Sequence, residues 1–79
     1  MILHVEEAKY LNDYKIWLRL NDGSFGEINL SDELDGEVFE PLKSINYFRN
    51  FEIRGYTLAW ENGADFAPEF LKEKLKTDG

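Results

Sequence analysis

The chain has 79 residues, and its 9 basic and 16 acidic side chains give a formal net charge of −7 at pH 7. This length encloses one modest core, so we expect a single domain over residues 1–79, and the acidic charge, which repels phosphate, argues against direct nucleic-acid binding. With no cysteine and no apolar run of the roughly 18 to 20 residues that a membrane helix needs, the sequence excludes disulfides and thiolate chemistry, predicts no membrane span and favours a cytoplasmic protein.

Residues 14–30 carry the clearest strand signal in the chain. Apolar and polar side chains alternate there, which is the period-two pattern of half-buried strands. A three-residue loop at 21–23, with Gly23 in the left-handed conformation, places Ile16 opposite Ile28 and gathers the apolar side chains on one face. A two-residue loop would set polar side chains on that face, so we predict the longer loop.

Two further segments are predicted to form strands. Residues 2–11 are strand-like, but their alternation breaks midway, which predicts a bulge or an edge strand. Residues 51–60 form a second hairpin when a two-residue loop begins at Gly55, because this loop pairs Ile53 with Leu58 and keeps the apolar side chains on one face.

Helical spacing appears in two places. Between the hairpins, Leu42, Ile45 and Phe48 have the spacing of a short helix packed on a sheet. Near the C terminus, Pro68 suits a first helical turn, and the apolar residues that follow recur at helical spacing. Together the elements predict an α+β fold, with an antiparallel three-stranded β-meander, a short helix, a β-hairpin and a C-terminal helix around one core.

The sequence contains no group of residues typical of a catalytic site. His4 is the only histidine, and none of the serines lies among the glycines of a nucleophile elbow. Carboxylates are too abundant for any pair of them to indicate glycoside chemistry. The six glycines form no phosphate-binding loop. We therefore expect a protein without enzymatic activity and without a cofactor.

Residues 32–40, which lie between the two hairpins, hold five acidic side chains and no basic one. An EF-hand calcium loop needs a bidentate glutamate at its twelfth position, and aligning Gly36 with the sixth position places Leu42 there instead. We therefore predict no metal site and interpret the segment as a solvated loop. The functional alternative is a docking surface for a basic partner. Its acidic residues are Asp32, Glu33, Asp35, Glu37 and Glu40.

Two aromatic side chains, Trp17 and Phe25, fall on the face of the first hairpin that also carries Lys15, Arg19 and Glu27. The mixture resembles the aromatic sheets on which single-stranded nucleic acids stack, but the predicted register leaves few aromatic residues on this face. Two alternatives stay open. A helix covers the two side chains as part of the core, or they form an exposed site for a partner.

Residues 60–65, with the sequence Trp-Glu-Asn-Gly-Ala-Asp, and the Ala-Pro-Glu that follows at 67–69 form a distinctive motif. With the Asn-Asp-Gly loop at 21–23 and residues 36–42, they resemble the domain of unknown function 2442 family of small bacterial proteins. The sequence departs from the family at Glu61, where proline is common. The resemblance implies a bacterial origin and an architecture, and it transfers no activity.

Two contextual hints accompany the resemblance. Some members of the family precede a helix-turn-helix domain, which this sequence does not contain. Others are encoded beside a second small protein in what resembles a toxin–antitoxin arrangement, which implies that this acidic chain is the neutralising partner.

The motif itself has two interpretations. In the structural one, Trp60 anchors the core, Asn62 and Gly63 make a tight turn, and Asp65 caps the helix that is entered through Pro68. In the functional one, the same turn is a recognition loop that presents Trp60, Asn62 and Asp65 to a partner.

The leading hypothesis from the sequence is a noncatalytic protein–protein interaction module, antitoxin-like in the terms of the resemblance. Its partner is another small protein, and the acidic charge favours a basic one. One alternative is a small enzyme or ligand-binding subunit that is active only on assembly. Another is a regulatory domain detached from a DNA-binding partner. The identity of the partner and the oligomeric state stay open.

Overall fold

A computed structural model describes residues 2–78, and the side chains of the C-terminal helix through Lys76. Two antiparallel three-stranded sheets, short helical segments and a C-terminal helix confirm the predicted α+β class. None of the helices in residues 2–78 is long and apolar enough to cross a membrane. The strands are β1 (Val5–Asn12), β2 (Lys15–Leu20), β3 (Phe25–Asn29), β4 (Glu52–Arg54), β5 (Thr57–Ala59) and β6 (Asp65–Phe66); the helices are two 3-10 helices (Ser31–Glu33 and Glu37–Lys43), α1 (Ile45–Phe48) and α2 (Pro68–Asp78).

The first sheet has the order β1-β2-β3 and the predicted hairpin register. Ile16 lies opposite Ile28. The amide of Leu20 donates to the carbonyl of Ser24 at 2.8 Å across the loop, and Gly23 has φ +92°. A three-residue loop with a left-handed glycine is therefore confirmed, because only this length brings both apolar rows onto one face.

Strand β1 is both an edge strand and an irregular one, as predicted. Its pairing with β2 shifts between Val5 and Glu7 and again between Tyr10 and Asn12. Each extra residue lets the strand bend while its apolar side chains stay toward the core. At its start, the amide of Val5 donates to the carbonyl of Tyr56 at 3.1 Å, which joins the first sheet to the second hairpin.

The second sheet has the order β4-β5-β6. The predicted pairing of Ile53 with Leu58 is confirmed, although Ile53 is 40% exposed while Leu58 is fully buried. A third strand, which the sequence analysis did not predict, adds Phe66 opposite Leu58. Two residues are too few for a recognisable alternation, so only the fold reveals this strand.

The predicted short helix is divided into a 3-10 helix and the single turn α1. Pro41 lies inside the 3-10 helix, and the proline ring removes an amide donor that an α-helix needs. Ser44 then adopts an extended conformation, with φ −77° and ψ 124°, before α1 begins. Leu42 and Phe48 are nevertheless fully buried, so the predicted apolar contacts survive the change of helix type.

Helix α2 packs against the core-facing side of β3. A Cβ atom placed on Gly26 would lie 3.3 Å from Cδ2 of Leu75, so the absence of a side chain there leaves room for the helix. Leu71 is fully buried on the same helix. The largest fully buried residues of the core between the sheets and the helices are two aromatic and eight aliphatic ones, namely Trp60, Phe48, Ile16, Leu18, Leu20, Ile28, Leu30, Leu42, Leu58 and Leu71.

Candidate interaction surface

The outward face of the first sheet carries the two aromatic side chains that the sequence singled out. The register sets Trp17 opposite Glu27 and Arg19 opposite Phe25, so the two aromatic residues are diagonal neighbours on one face. Their ring centroids are 6.4 Å apart. Trp17 is half-buried, whereas Phe25 is 67% exposed.

Helix α2 does not cover this face, because it lies on the other side of β3. Leu75 approaches Gly26, and successive side chains of a strand point to opposite faces. The side chain of Phe25 therefore points away from the helix. Of the two alternatives for this pair, the structure gives an exposed patch at Phe25 rather than a helix-covered core.

Ion pairs surround the aromatic pair and connect β1 to β2. The ammonium of Lys9 lies 5.6 Å from the ring centroid of Trp17, a cation–π contact on an exposed surface. Arg19 contacts Glu6 at 3.6 Å and Glu7 at 3.5 Å. Because all of these side chains are partly exposed, each pair contributes little to stability, and their main effect is to set basic and acidic groups side by side around the aromatic rings.

Beside the aromatic pair, a shallow depression of about 160 Å³ is lined by Lys15, Glu27, Ile28 and Asn29. Pockets that bury a small-molecule ligand commonly measure about 300–1,000 Å³. This depression is smaller than such pockets.

The acidic segment follows β3 and forms the two 3-10 helices. Asp32, Asp35 and Glu37 are exposed. Glu33 lies 3.9 Å from Lys74 of α2, and Glu40 lies 3.1 Å from Lys43. In the part of the chain that the structure describes, no group of three or more histidine, aspartate or glutamate side chains could hold a metal ion.

Trp60 belongs to the core and not to an interaction surface, which corrects its place among the candidate interaction residues. Its side chain is fully buried, and the indole N–H donates to the carbonyl of Phe48 at 2.8 Å. Its ring also lies 5.7 Å from that of Phe66. A buried indole needs such a donor contact, so the structural interpretation of Trp60 is confirmed.

Asn62 uses its polar groups inside the fold. Its side-chain oxygen accepts from the amide of Ala64 at 3.1 Å, and its side-chain nitrogen donates to the carbonyl of Val38 at 2.8 Å. Its backbone amide donates to the hydroxyl of Tyr47 at 3.0 Å. One residue thus closes the turn before Gly63, which has φ +95°, and joins that turn to two helical segments.

The prediction that Asp65 caps helix α2 is wrong. Asp65 lies in β6 opposite Ala59, and the amide of Leu71 donates to the carbonyl of Ala67 at 3.1 Å. Ala67 therefore occupies the cap position, directly before Pro68. The chain must first bring Phe66 into the core, which leaves Asp65 exposed and too far upstream to reach the orphan amides of the helix.

An ionic contact that was not predicted from the sequence joins the first hairpin loop to α2. One carboxylate oxygen of Asp22 accepts from the amide of Ser24 at 2.9 Å, and the other contacts the ammonium of Lys72. The hydrogen bond from Lys72, followed by those from Ser24, lowers the pKa of Asp22 to about 2. An Asp two residues before a Ser in a loop signals the local turn, but nothing in the sequence signals a partner 50 positions away.

The same construction closes both loops that end in a left-handed glycine. In the first loop, the amide of Gly23 donates to the carbonyl of Leu20. In the second loop, the amide of Gly63 donates to the carbonyl of Trp60. In each, the side chain before the glycine accepts from the amide after it. Both motifs of the sequence, at 21–23 and 61–63, are thereby explained as turn chemistry.

Comparison with known proteins agrees with the resemblance on nearly the whole chain. A family model described as "Protein of unknown function (DUF2442)" matches residues 5–77. No curated protein and no solved structure matches the chain.

Proposed function

The chain belongs to the DUF2442 family of proteins of unknown function, and on this basis we propose that it is a bacterial, cytoplasmic, noncatalytic module that binds another small protein through the outward face of its first sheet. The observation that carries this proposal is the exposure of Phe25, which is 67% accessible beside Trp17. Aromatic residues are enriched where proteins bind one another, because they bury a large area with few rotatable bonds.

Arginine and lysine around this aromatic pair add to its suitability as an interface. Arg19 is itself a residue type enriched in interfaces. A partner that covered Phe25 would also lie against Arg19 and its acidic neighbours Glu6 and Glu7, so charges on the partner that complement these groups would add specificity.

The acidic segment supports the proposal in a different way. Asp32, Asp35 and Glu37 are exposed, and the chain carries a net charge of −7. Such a field speeds the encounter with a basic protein and has a smaller effect on the lifetime of the complex. In this proposal the acidic segment attracts the partner and the aromatic pair holds it.

An antitoxin-like role is the specific form that the family resemblance suggests. In that form the partner is a basic toxin encoded nearby, and binding covers its active surface. Co-expression of the two proteins tests this form, since the proposal expects the acidic chain to restore growth that the partner alone inhibits.

The experiment that tests the interaction compares two aromatic-to-serine variants. We expect Phe25→Ser to lose capture of the partner from lysate of the native host, because the substitution removes the exposed ring while leaving the buried core intact. Tyr56→Ser is the matched control: Tyr56 is 52% exposed but belongs to the second hairpin. Quantitative mass spectrometry of the captured proteins is the measurement, and urea unfolding verifies that both variants remain folded.

Equal capture by both variants and by the original protein would refute the role of the outward face. Loss of capture in both folded variants would show that the partner does not depend specifically on the outward face of the first sheet. The alternative, an enzyme that is active only on assembly, predicts a cluster of carboxylates that becomes buried at an oligomer interface.

A further inference from the structure

The edges of the two sheets differ in how they are protected against pairing with another strand. Natural proteins protect a sheet edge with bulges, short strands, lysine or proline. Strand β1 has two breaks in its register. Strands β4 and β6 are only three and two residues long. These three edges are therefore poor templates for an additional strand.

Strand β3 has none of these four protections, and α2 packs on its core-facing side and leaves the side chain of Phe25 exposed on the other. It runs for five residues, Phe25–Asn29, without proline or lysine, and its pairing with β2 continues without a shift from Phe25 to Asn29. Its single charged side chain is that of Glu27. Of the four sheet edges in the described residues, the β3 edge has the longest run of residues that pair without a register shift.

The backbone of β3 offers free hydrogen-bonding groups at Phe25 and Glu27. Leu20 and Ser24 bond across the hairpin, as do Tyr14 and Leu30 at the other end. Because bonded positions alternate along an antiparallel ladder, the amides and carbonyls of Phe25 and Glu27 point away from β2. No other strand of the described residues pairs with them.

We propose that the β3 edge binds an extended, basic segment of a partner protein as an additional antiparallel strand. This inference rests on the proposed function and specifies how the partner binds. Strand addition of this kind uses main-chain hydrogen bonds for affinity and alternate side chains for specificity. The side chains of Phe25 and Glu27 would lie beside the incoming strand on the outward face, next to the aromatic pair.

Charge decides the occupant. A second copy paired symmetrically about Glu27 would set this carboxylate opposite itself, and like charges directly across strands are destabilising. Each copy also carries a net charge of −7. A strand with lysine or arginine opposite Glu27 and an apolar residue opposite Phe25 fits instead. In antiparallel order, that strand reads basic residue, any residue, apolar residue.

A short synthetic peptide tests the inference directly. The probe is the acetylated and amidated peptide TKTVTKT, whose valine and preceding lysine match Phe25 and Glu27. We expect titration into the isotope-labelled protein to shift the backbone amide resonances of these two residues and to slow their hydrogen exchange. The peptide TETVTET is the charge control, with binding about tenfold weaker.

Methylation of the peptide backbone separates strand addition from side-chain contact. Methylating the amides of the valine and the preceding lysine removes the donors that face β3, and we expect it to abolish binding. Methylating the threonines on either side of the valine leaves those donors intact, so binding should remain. The variant Glu27→Lys should reverse the preference and favour TETVTET.

Three results would overturn the inference. One is the absence of any change at the amides of Phe25 and Glu27 at millimolar peptide. Another is equal binding of the two methylated peptides. The third is protection of these amides that grows with protein concentration without peptide, which would make a second copy the occupant. Capture that depends on Phe25, combined with either of the first two results, would remove strand addition and leave the proposed function standing.

Discussion

At the scale of single residues, Asn62 and Asp65 show how neighbouring positions in one motif take different roles. Asn62 donates to Val38 and accepts from Ala64 through its side chain. Asp65 lies exposed in β6. The first residue is a structural part of the turn, while the second remains exposed on the surface.

We expect Asn62→Ala to lower the free energy of unfolding by about 1–2 kcal/mol, because two side-chain hydrogen bonds are lost. Asp65→Ala should change it by less than about 0.5 kcal/mol, as is usual for an exposed side chain without structural contacts. Urea unfolding followed by tryptophan fluorescence measures both, since Trp60 is buried next to the turn. A large loss for Asp65→Ala, or none for Asn62→Ala, would contradict these assignments.

At the scale of elements, the contact between Asp22 and Lys72 fastens helix α2 to the loop of the first hairpin. The helix otherwise packs on the sheet through apolar side chains such as that of Leu75, which lies over Gly26 where β3 has no side chain. A second ion pair, between Lys74 and Glu33, lies two residues further along the helix. The helix is therefore tied to both ends of β3, once before the strand and once after it.

This contact makes stability depend on pH. Asp22 has a pKa of about 2 in the folded protein, below the value of about 3.9 in an unfolded chain. The stabilisation from the folded carboxylate is therefore complete above the unfolded pKa and is lost as the pH falls through about 2. We expect urea unfolding to show a falling free energy between about pH 5 and pH 2.

The variants Asp22→Asn and Lys72→Met identify the source of this pH dependence. Asp22→Asn removes the titrating group, and Lys72→Met removes the donor that contributes most to the lowered pKa. Both should be less stable than the original protein near neutral pH and should lose less stability on acidification. An unchanged acid transition in both variants would rule out this contact as its source.

At the scale of the whole molecule, charge and apolar surface are distributed unevenly. The acidic residues 32, 35 and 37 are exposed on the segment that follows β3, whereas Phe25 is exposed on the outward face of the sheet. In the proposed function, long-range attraction of the partner and short-range contact with it therefore belong to different parts of the surface. This separation predicts that the two can be altered independently.

We expect the triple variant D32N, D35N and E37Q to associate more slowly with the captured partner at low salt and to dissociate at an unchanged rate. The reason is that exposed charges steer encounter over about 10 Å in 0.1 M salt but contribute little to a formed contact. Biolayer interferometry over a range of NaCl concentrations measures both rates. Phe25→Ser provides the comparison: we expect it to dissociate faster, with an unchanged salt dependence of the association rate. If the association rates of the triple variant and the original protein depended on salt in the same way, the steering role would be contradicted.

The sequence by itself determined the class of the fold, the register of both hairpins and the family. These features depend on local signals: alternation of side chains, glycine in a left-handed loop conformation, and the spacing of motifs. The placement of Phe25 on the face of the hairpin opposite to Leu18 and Ile28 follows from the same alternation. These signals can be read from the sequence because each of them involves residues that are close together in the chain.

Only the tertiary structure decided which side of the sheet helix α2 covers and that β6 exists. It buries Trp60 in the core, and it places Asp65 where this residue caps no helix. It also decided that Asp22 meets Lys72 and that β3 keeps a free edge. Each of these outcomes depends on packing between segments far apart in sequence. The need to bury Phe66 and Trp60 in one core overrides the local preference of Asp65 for a helix cap, because apolar burial contributes more free energy than a single capping bond.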